Sequence, residues 1–232
     1  MSSSLGIDRL IERQLRNWEL ARAQRLAADA GDDDHRVEQF VALSREVGCD
    51  AGTIGKLLSE RLGWPVFDKE LLDQMAENDA IRARLYERMD ERDTTFVEAV
   101  LRVLLMGDFG RSDYFRRLSE TVLALARQGR AVFVGRGADL ILPREYGLRV
   151  RLVAPLERRV SNFAQRYGCD EDTARLRIER IQRDRADFVQ HHFRRAPEDM
   201  TRFDLTLNIE RFTPQQAVDL LLFALRQRGV IA

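Results

Sequence analysis

The sequence predicts an α/β protein of three layers, a parallel sheet covered on both faces by helices. Five short apolar runs, at residues 40–44, 65–67, 131–134, 148–153 and 205–209, are bounded by polar or glycine-bearing loops. Stretches with apolar residues at helical spacing lie between and after them. Strands connected through helices run parallel with right-handed crossovers, and such a sheet is buried on both sides.

Taken in order, residues 5–29 read as one helix, with Leu5, Leu10, Ile11, Leu15, Trp18, Ala21 and Leu26 recurring near helical spacing. The acidic turn Gly31-Asp32-Asp33-Asp34 ends it and divides an N-terminal helical appendage, 1–38, from a main domain, 39–232. Phe40 to Ser44 is the first strand, Arg45 to Gly52 its loop and Thr53 to Leu62 a helix closed by Gly63. Pro65-Val66-Phe67 is the second strand, followed by a helix from Asp68 to Glu77 and further helices at about 80–90, 94–106 and 113–128. Ala131 to Val134 and Leu148 to Val153 are the third and fourth strands. Helices follow at 155–167 and 171–192, then a fifth strand at Leu205 to Ile209 and a helix at 214–227.

Composition narrows the function classes. With 38 Lys+Arg against 38 Asp+Glu the 232-residue chain has no net charge, and so no global attraction to nucleic acid or to an anionic membrane. At 44% hydrophobic residues it can bury a sizeable core. No 18 apolar residues come together, the first residues lack a secretory leader pattern, and Cys49 and Cys169 sit in no metal or disulfide framework. A soluble protein of the reducing cytoplasm is expected. Only Lys56 and Lys69 are lysines, so a lysine used as a point charge on phosphate is one of those two.

Ligands of parallel sheets sit beyond the carboxyl ends of the strands, where loops lead into helix N-termini. The first loop, Ser44 to Thr53, is where a phosphate cradle belongs, because backbone N–H groups and a helix N-terminus face an anion there. Gly48 and Gly52 are present, but no lysine precedes Thr53, and Lys56 falls one turn late. The loop can equally be a plain glycine turn. In the next loop, Gly135-Arg136-Gly137-Ala138-Asp139, two glycines let backbone approach a ligand and an arginine can fork onto phosphate or carboxylate. On the helix 171–192, Arg180, Arg183, Asp184, Asp187 and His191 share one face, and Ala174, Ile178, Ile181 and Phe188 another. His191-His192 has no third metal ligand in view.

Together FVALSREVGCDAGTIGKLLSERLGWPVFDKELL, AVFVGRGADLIL, LRVRLVAPLERRVSNFAQRYG…RIQRDRADF and FDLTLNIERFTPQQAVDLL resemble the cytidylate-kinase-like family of P-loop nucleoside monophosphate kinases, from about Gln39 to Leu222. The resemblance implies a P-loop fold with a five-stranded parallel sheet, a monophosphate-binding arm at 68–128 and a lid at 158–195. It implies ATP and Mg2+ as cofactors and CMP or dCMP as acceptor. Gly48, Cys49, Asp50, Ala51, Gly52 and Thr53 would hold the donor, with Thr53 near the magnesium. Asp68, Arg136, Asp139, Asp184 and Asp187 would hold the acceptor, and Arg159 and Arg183 would supply catalytic charge. Apart from the resemblance, Lys69 beside Asp68, just beyond the second strand, either faces the cleft and supplies charge that Ala51 lacks or is solvated while Asp68 caps the helix. Against the family pattern, the phosphate lysine falls on Ala51, the glycine before it on Asp50 and the acidic end of the third strand on Val134. Arginine can replace the missing charge, as a planar fork rather than a compact point. The competing expectation is a nucleotide-binding regulatory or interaction protein that kept the fold and lost the chemistry, its N-terminal helix docking a partner or second copy.

Overall fold

The computed structural model describes residues 9–16, 37–87, 89, 91–105 and 112–231. Five parallel strands, β1 (Phe40–Arg45), β2 (Val66–Phe67), β3 (Ala131–Val134), β4 (Gly147–Val153) and β5 (Leu205–Asn208), form one sheet in the order β2-β3-β1-β4-β5. The helices are α1 (residues 9–16), α2 (Ala51–Leu62), α3 (Lys69–Glu77), α4 (Asp79–Tyr86), α5 (Glu91–Leu105) and α6 (Asp113–Gln128). They continue with α7 (Ala138–Ile141), α8 (Leu156–Tyr167), α9 (Glu171–Phe193) and α10 (Pro214–Gln227).

The pleat sorts the apolar runs onto two cores. Phe40, Ala42, Phe67, Ala131 and Phe133 face α3, α6 and α7. Val41, Leu43, Val132, Val134, Leu148, Val150 and Leu152 face α2 and α10. Each fully buried phenylalanine contributes roughly 1.5–3 kcal/mol, and Phe40, Phe67, Phe115 and Phe133 are all in that state. Val47, Val160, Phe163, Ala174 and Ile178 make a third, smaller cluster that fastens α8 and α9 to the first loop.

Of the helix predicted at 5–29, residues 9–16 are described and are helical; the rest of that span and the acidic turn at 31–34 lie outside the described residues. Ile11 and Leu15 are buried in the same cluster as Leu85 and Leu118, and Glu12 lies 3.6 Å from Arg84. The apolar stripe of α1 is thus used within the chain.

Several bounds differ from the sequence reading for local reasons. Helix α2 begins at Ala51, since Asp50 already takes the N-cap position after the turn at Gly48. Asn78 separates α3 from α4. Its N–H closes α3 on the Gln74 carbonyl, and its side chain accepts from Ala80 and Ile81. Helix α7 and the 3₁₀ turns Arg144–Tyr146 and Met200–Arg202 are too short to show a period in sequence.

Helix α2 leaves β1 toward one face, and α7 leaves the neighbouring β3 toward the other. Connections diverging from adjacent strands open a crevice at their carboxyl ends.

Candidate active site

That crevice is a cavity of about 950 Å³, lined by the first loop, the start of α3, the 134–139 turn, and residues of α8, α9 and the β5–α10 connection. Its first wall is residues 44–53. Gly48 has a φ of +90°, and a Cβ there would lie 2.5 Å from the Arg159 carbonyl oxygen, so only glycine fits between the turn and α8.

Four side chains of α8 and α9 hold this loop by its backbone. Arg159 donates to the carbonyls of Ala154 at 2.9 Å and Val47 at 3.3 Å, and lies 3.3 Å from Glu46. Asn162 donates to the Gly48 carbonyl at 3.1 Å, and Arg185 to that of Arg45 at 3.1 Å. The Gln182 side-chain Oε1 accepts from the Val47 N–H at 3.1 Å. Helices α8 and α9 are therefore docked on the first loop. Asp50 pairs with Arg166 of α8 at 3.0 Å, so its carboxylate is balanced by a cation beside the helix N-terminus. The α2 N-terminus has no side-chain cap, and its first-turn donors face an environment that favours anions.

Positive charge is concentrated on the cavity floor. Arg45 ends β1, Arg151 lies on β4 opposite Ser44 and donates to its hydroxyl at 2.8 Å, and Arg185 reaches in from α9. Among the described residues no carboxylate lies within ion-pair distance of these three guanidinium groups. Burial lowers all three from the ordinary arginine value. For Arg45 and Arg151 nearby carboxylates oppose the shift, whereas Arg45 and Arg151 push Arg185 further, to about 9. An anion placed among them would favour their charged forms.

Arg136 is placed differently. It has a φ of +54° and lies between the rings of Phe188 at 5.1 Å and Tyr114 at 5.7 Å. Its guanidinium forks onto Asp73 of α3, with Nε 2.6 Å from Oδ1 and Nη2 on Oδ2. The Tyr114 hydroxyl donates to the same Oδ1 at 2.6 Å, and Lys69 lies 4.0 Å from Asp73. Burial pulls the Arg136 value down, but the fork and neighbouring Tyr114 and Glu70 raise it overall. Burial and the same carboxylate raise that of Tyr114.

The loop residues Gly48, Cys49, Asp50, Ala51, Gly52 and Thr53 all line the cavity, as do Asp68, Lys69, Arg136, Asp139 and Asp184. Asp68 also accepts from the Leu71 N–H at 3.0 Å and caps α3. Asp139 is buried and pairs with Arg202 at 3.2 Å. Burial raises its pKa, and Arg202, Arg149 and Arg151 oppose that. Arg159 is turned to the back of the loop, and it is its neighbour Arg158 that lines the cavity. Arg183 and Asp187 are exposed outside the lining, because α9 presents Gln182, Arg185, Phe188 and Val189 to the cavity. The face that carries Arg180, Arg183 and Asp187 looks to solvent. Among the described residues no group of three metal-ligating side chains occurs, and His192 stacks on Phe115 at 4.7 Å.

The sequence reading missed Asp73, Tyr114, Arg151, Gln182, Arg185 and Arg202. Arg151 left one signal. In LRVRLV the leucines and valine alternate with arginines, so a strand buried on both faces carries two charges on one of them.

Residues 40–211 match the model of the cytidylate kinase-like family. The chain belongs to that family. The fold of this cytidylate kinase-like chain is a five-stranded parallel sheet between two layers of helices. It superposes on the crystal structure of an uncharacterized protein from Eubacterium ventriosum with a TM-score of 0.65, at 21% identity, over 82% of this chain and 99% of that one. Other solved structures align less closely. Shikimate kinase from Bacteroides thetaiotaomicron gives a TM-score of 0.45 at 16% identity over 81% and 98% of the two chains. A gluconokinase from Sinorhizobium meliloti gives 0.44 at 12% over 83% and 94%. No protein of curated function matches the sequence. No described helix is long and apolar enough to cross a membrane.

Proposed function

We propose that this chain is a phosphotransferase that moves the γ-phosphoryl group of ATP to a nucleoside monophosphate, CMP or dCMP being the acceptor the family suggests. The observation that carries the reading is the arginine cluster of Arg45, Arg151 and Arg185 on the cavity floor, beside the loop whose lysine is replaced by Ala51. Phosphoryl transfer needs positioning and stabilisation of charge on the equatorial oxygens more than covalent chemistry. Three guanidinium groups without carboxylate partners supply that charge, and they are already desolvated, so their fields are strong.

The residues fit both cofactors. A triphosphate would lie on the loop from Gly48 to Thr53, against the uncapped first turn of α2. Magnesium bound mostly by phosphate needs only one or two protein oxygens, and the Thr53 hydroxyl, with Asp68 across the cavity, meets that requirement. Lys69, half exposed at the cavity edge, adds positive charge on the acceptor side. Arg136 and Asp184 line the acceptor side, and Arg159 acts by holding the loop.

A second reading has its own observation. Gln182, Asn162 and Arg185 occupy backbone groups of the loop, as they would in a nucleotide-binding protein whose loop no longer turns over. A coupled ADP-release assay across the common nucleoside monophosphates separates the two. Turnover dependent on one acceptor supports the kinase; nucleotide binding with no acceptor-dependent ADP release supports the regulator.

A further inference from the structure

Arg136 is the arginine that the sequence offers to the acceptor's phosphate, yet one edge of its guanidinium, Nε and Nη2, is taken by Asp73, and the group lies over the rings of Phe188 and Tyr114. A guanidinium whose charge is already balanced by a carboxylate attracts a dianion less strongly. Buried guanidinium groups with unused donors lie elsewhere. Arg151 and Arg202 are both at least nine-tenths buried, and both line the cavity. Arg151 uses Nη1 on Ser44, and its Nε has no hydrogen-bond partner. In Arg202 neither Nε nor Nη1 makes a hydrogen bond, although Nε lies 3.2 Å from Asp139. The Phe203 ring lies within 6 Å of both, at 5.9 Å from Arg151 and 4.6 Å from Arg202, and fixes their spacing.

These arginines stand on a particular side of the sheet. Leu148, Val150 and Leu152 face α2, so Arg151 projects from the opposite face of β4. The first loop leads into α2 on the first face. In-line phosphoryl transfer requires donor and acceptor to approach one phosphorus from opposite directions. A phosphate site on the Arg151 side of β1 faces a donor held at the α2 N-terminus across that line.

We propose that Arg151 and Arg202, completed by Arg185 from α9, form a second oxyanion site that holds the phosphate monoester of the acceptor. The assignment rests on the kinase reading for the ligand's identity, but the site itself is defined by its charge. Arg136 with Asp73 and Tyr114 then acts as a positioning group that ties α3, α6 and α9 around the acceptor.

The test is calorimetry on the full chain with saturating non-hydrolysable ATP analogue and magnesium, titrating first inorganic phosphate and then CMP against cytidine. The wild type binds phosphate, and binds CMP at least tenfold more tightly than cytidine. Arg151→Met weakens phosphate and CMP at least tenfold, and by a larger factor than it weakens the ATP analogue, while the melting temperature stays close to that of the wild type. Because Arg202→Met strips Asp139 of its partner, the double variant Arg202→Met/Asp139→Asn is measured beside it and shows the same loss. Phosphate affinity unchanged in both variants, or absent from the wild type with the analogue bound, overturns the site. If the analogue itself fails to bind but phosphate binds in an Arg151-dependent way, the site stands and the kinase reading falls.

Discussion

Asp73 on α3 holds Arg136 at the end of β3 by both carboxylate oxygens, across 63 residues of chain. The pair joins α3 to the end of β3 at the cavity, and Tyr114 on α6 shares the carboxylate. A charge-assisted pair of this kind contributes about 1.5–3 kcal/mol. Both side chains are about one-fifth exposed, so solvent screening leaves the lower part of that range. A double-mutant cycle of Asp73→Ala and Arg136→Met, followed by urea unfolding, is expected to give a coupling of about 1–2 kcal/mol. Additivity within about 0.3 kcal/mol would show that the fork does not hold the arm.

Asp68 and Lys69 are neighbours with separable duties. Asp68 caps α3 through the Leu71 N–H, so Asp68→Ala loses about 0.5–2 kcal/mol of stability. Lys69 is half exposed and 4.0 Å from Asp73, a pair that contributes under about 1 kcal/mol. Its expected contribution is to the ligand. Lys69→Met lowers turnover about tenfold, roughly 1.4 kcal/mol, with the melting temperature little changed. Unaltered turnover would make Lys69 a surface residue only.

How far these residues could be read from sequence follows from the range of the interactions. The five strands are legible because each is a local apolar run, and the loops after them are legible because parallel sheets place ligands there. The exposed face of α9 was chosen from charge spacing, yet a charged stripe at helical period is as easily the solvent face. Arg185 sits among cavity residues because Ala174, Ile178 and Ile181 pack on the cluster with Val47 and Val160, and that packing sets the rotation of the helix. Asp73 reads as one more acid on an amphipathic helix. Its meaning comes from Arg136, and no local pattern links the two.

Gly48 and Gly63 both have positive φ, at +90° and +68°, but only Gly48 has neighbours in the way. Gly48→Ala is expected to cost roughly 1–3 kcal/mol, to push the loop off Arg159 and to weaken ATP-analogue binding at least tenfold. Gly63→Ala, which meets nothing within 4 Å, costs about 1–2 kcal/mol and leaves binding alone. Calorimetry on the two variants side by side checks this, and equal effects on binding would deny the loop its special place.

Cys49, buried in the loop, has its thiol pushed up to about 12 by burial first and by Glu46 second, against the opposing pull of Arg159. Its folded value lies above the unfolded value of 9.0. The stability contributed by the protonated thiol is therefore present below about pH 9 and is lost as pH rises toward 12. At pH 8, iodoacetamide is expected to modify the half-buried Cys169 first and to reach Cys49 only on unfolding. Mass spectrometry of the labelled peptides checks the order. Early labelling of Cys49 in the folded protein would show that the loop opens from α8 and α9.

The most direct measurement of the central claim is transfer of labelled γ-phosphate from ATP to a nucleoside monophosphate by the wild type, Arg45→Met and Arg185→Met proteins with magnesium. The account predicts a labelled nucleoside diphosphate from the wild type. It also predicts at least a tenfold loss in each variant, since each removes positive charge from the cavity floor. No labelled diphosphate with any common acceptor, despite ATP binding at the loop, or undiminished transfer in both variants, would contradict it.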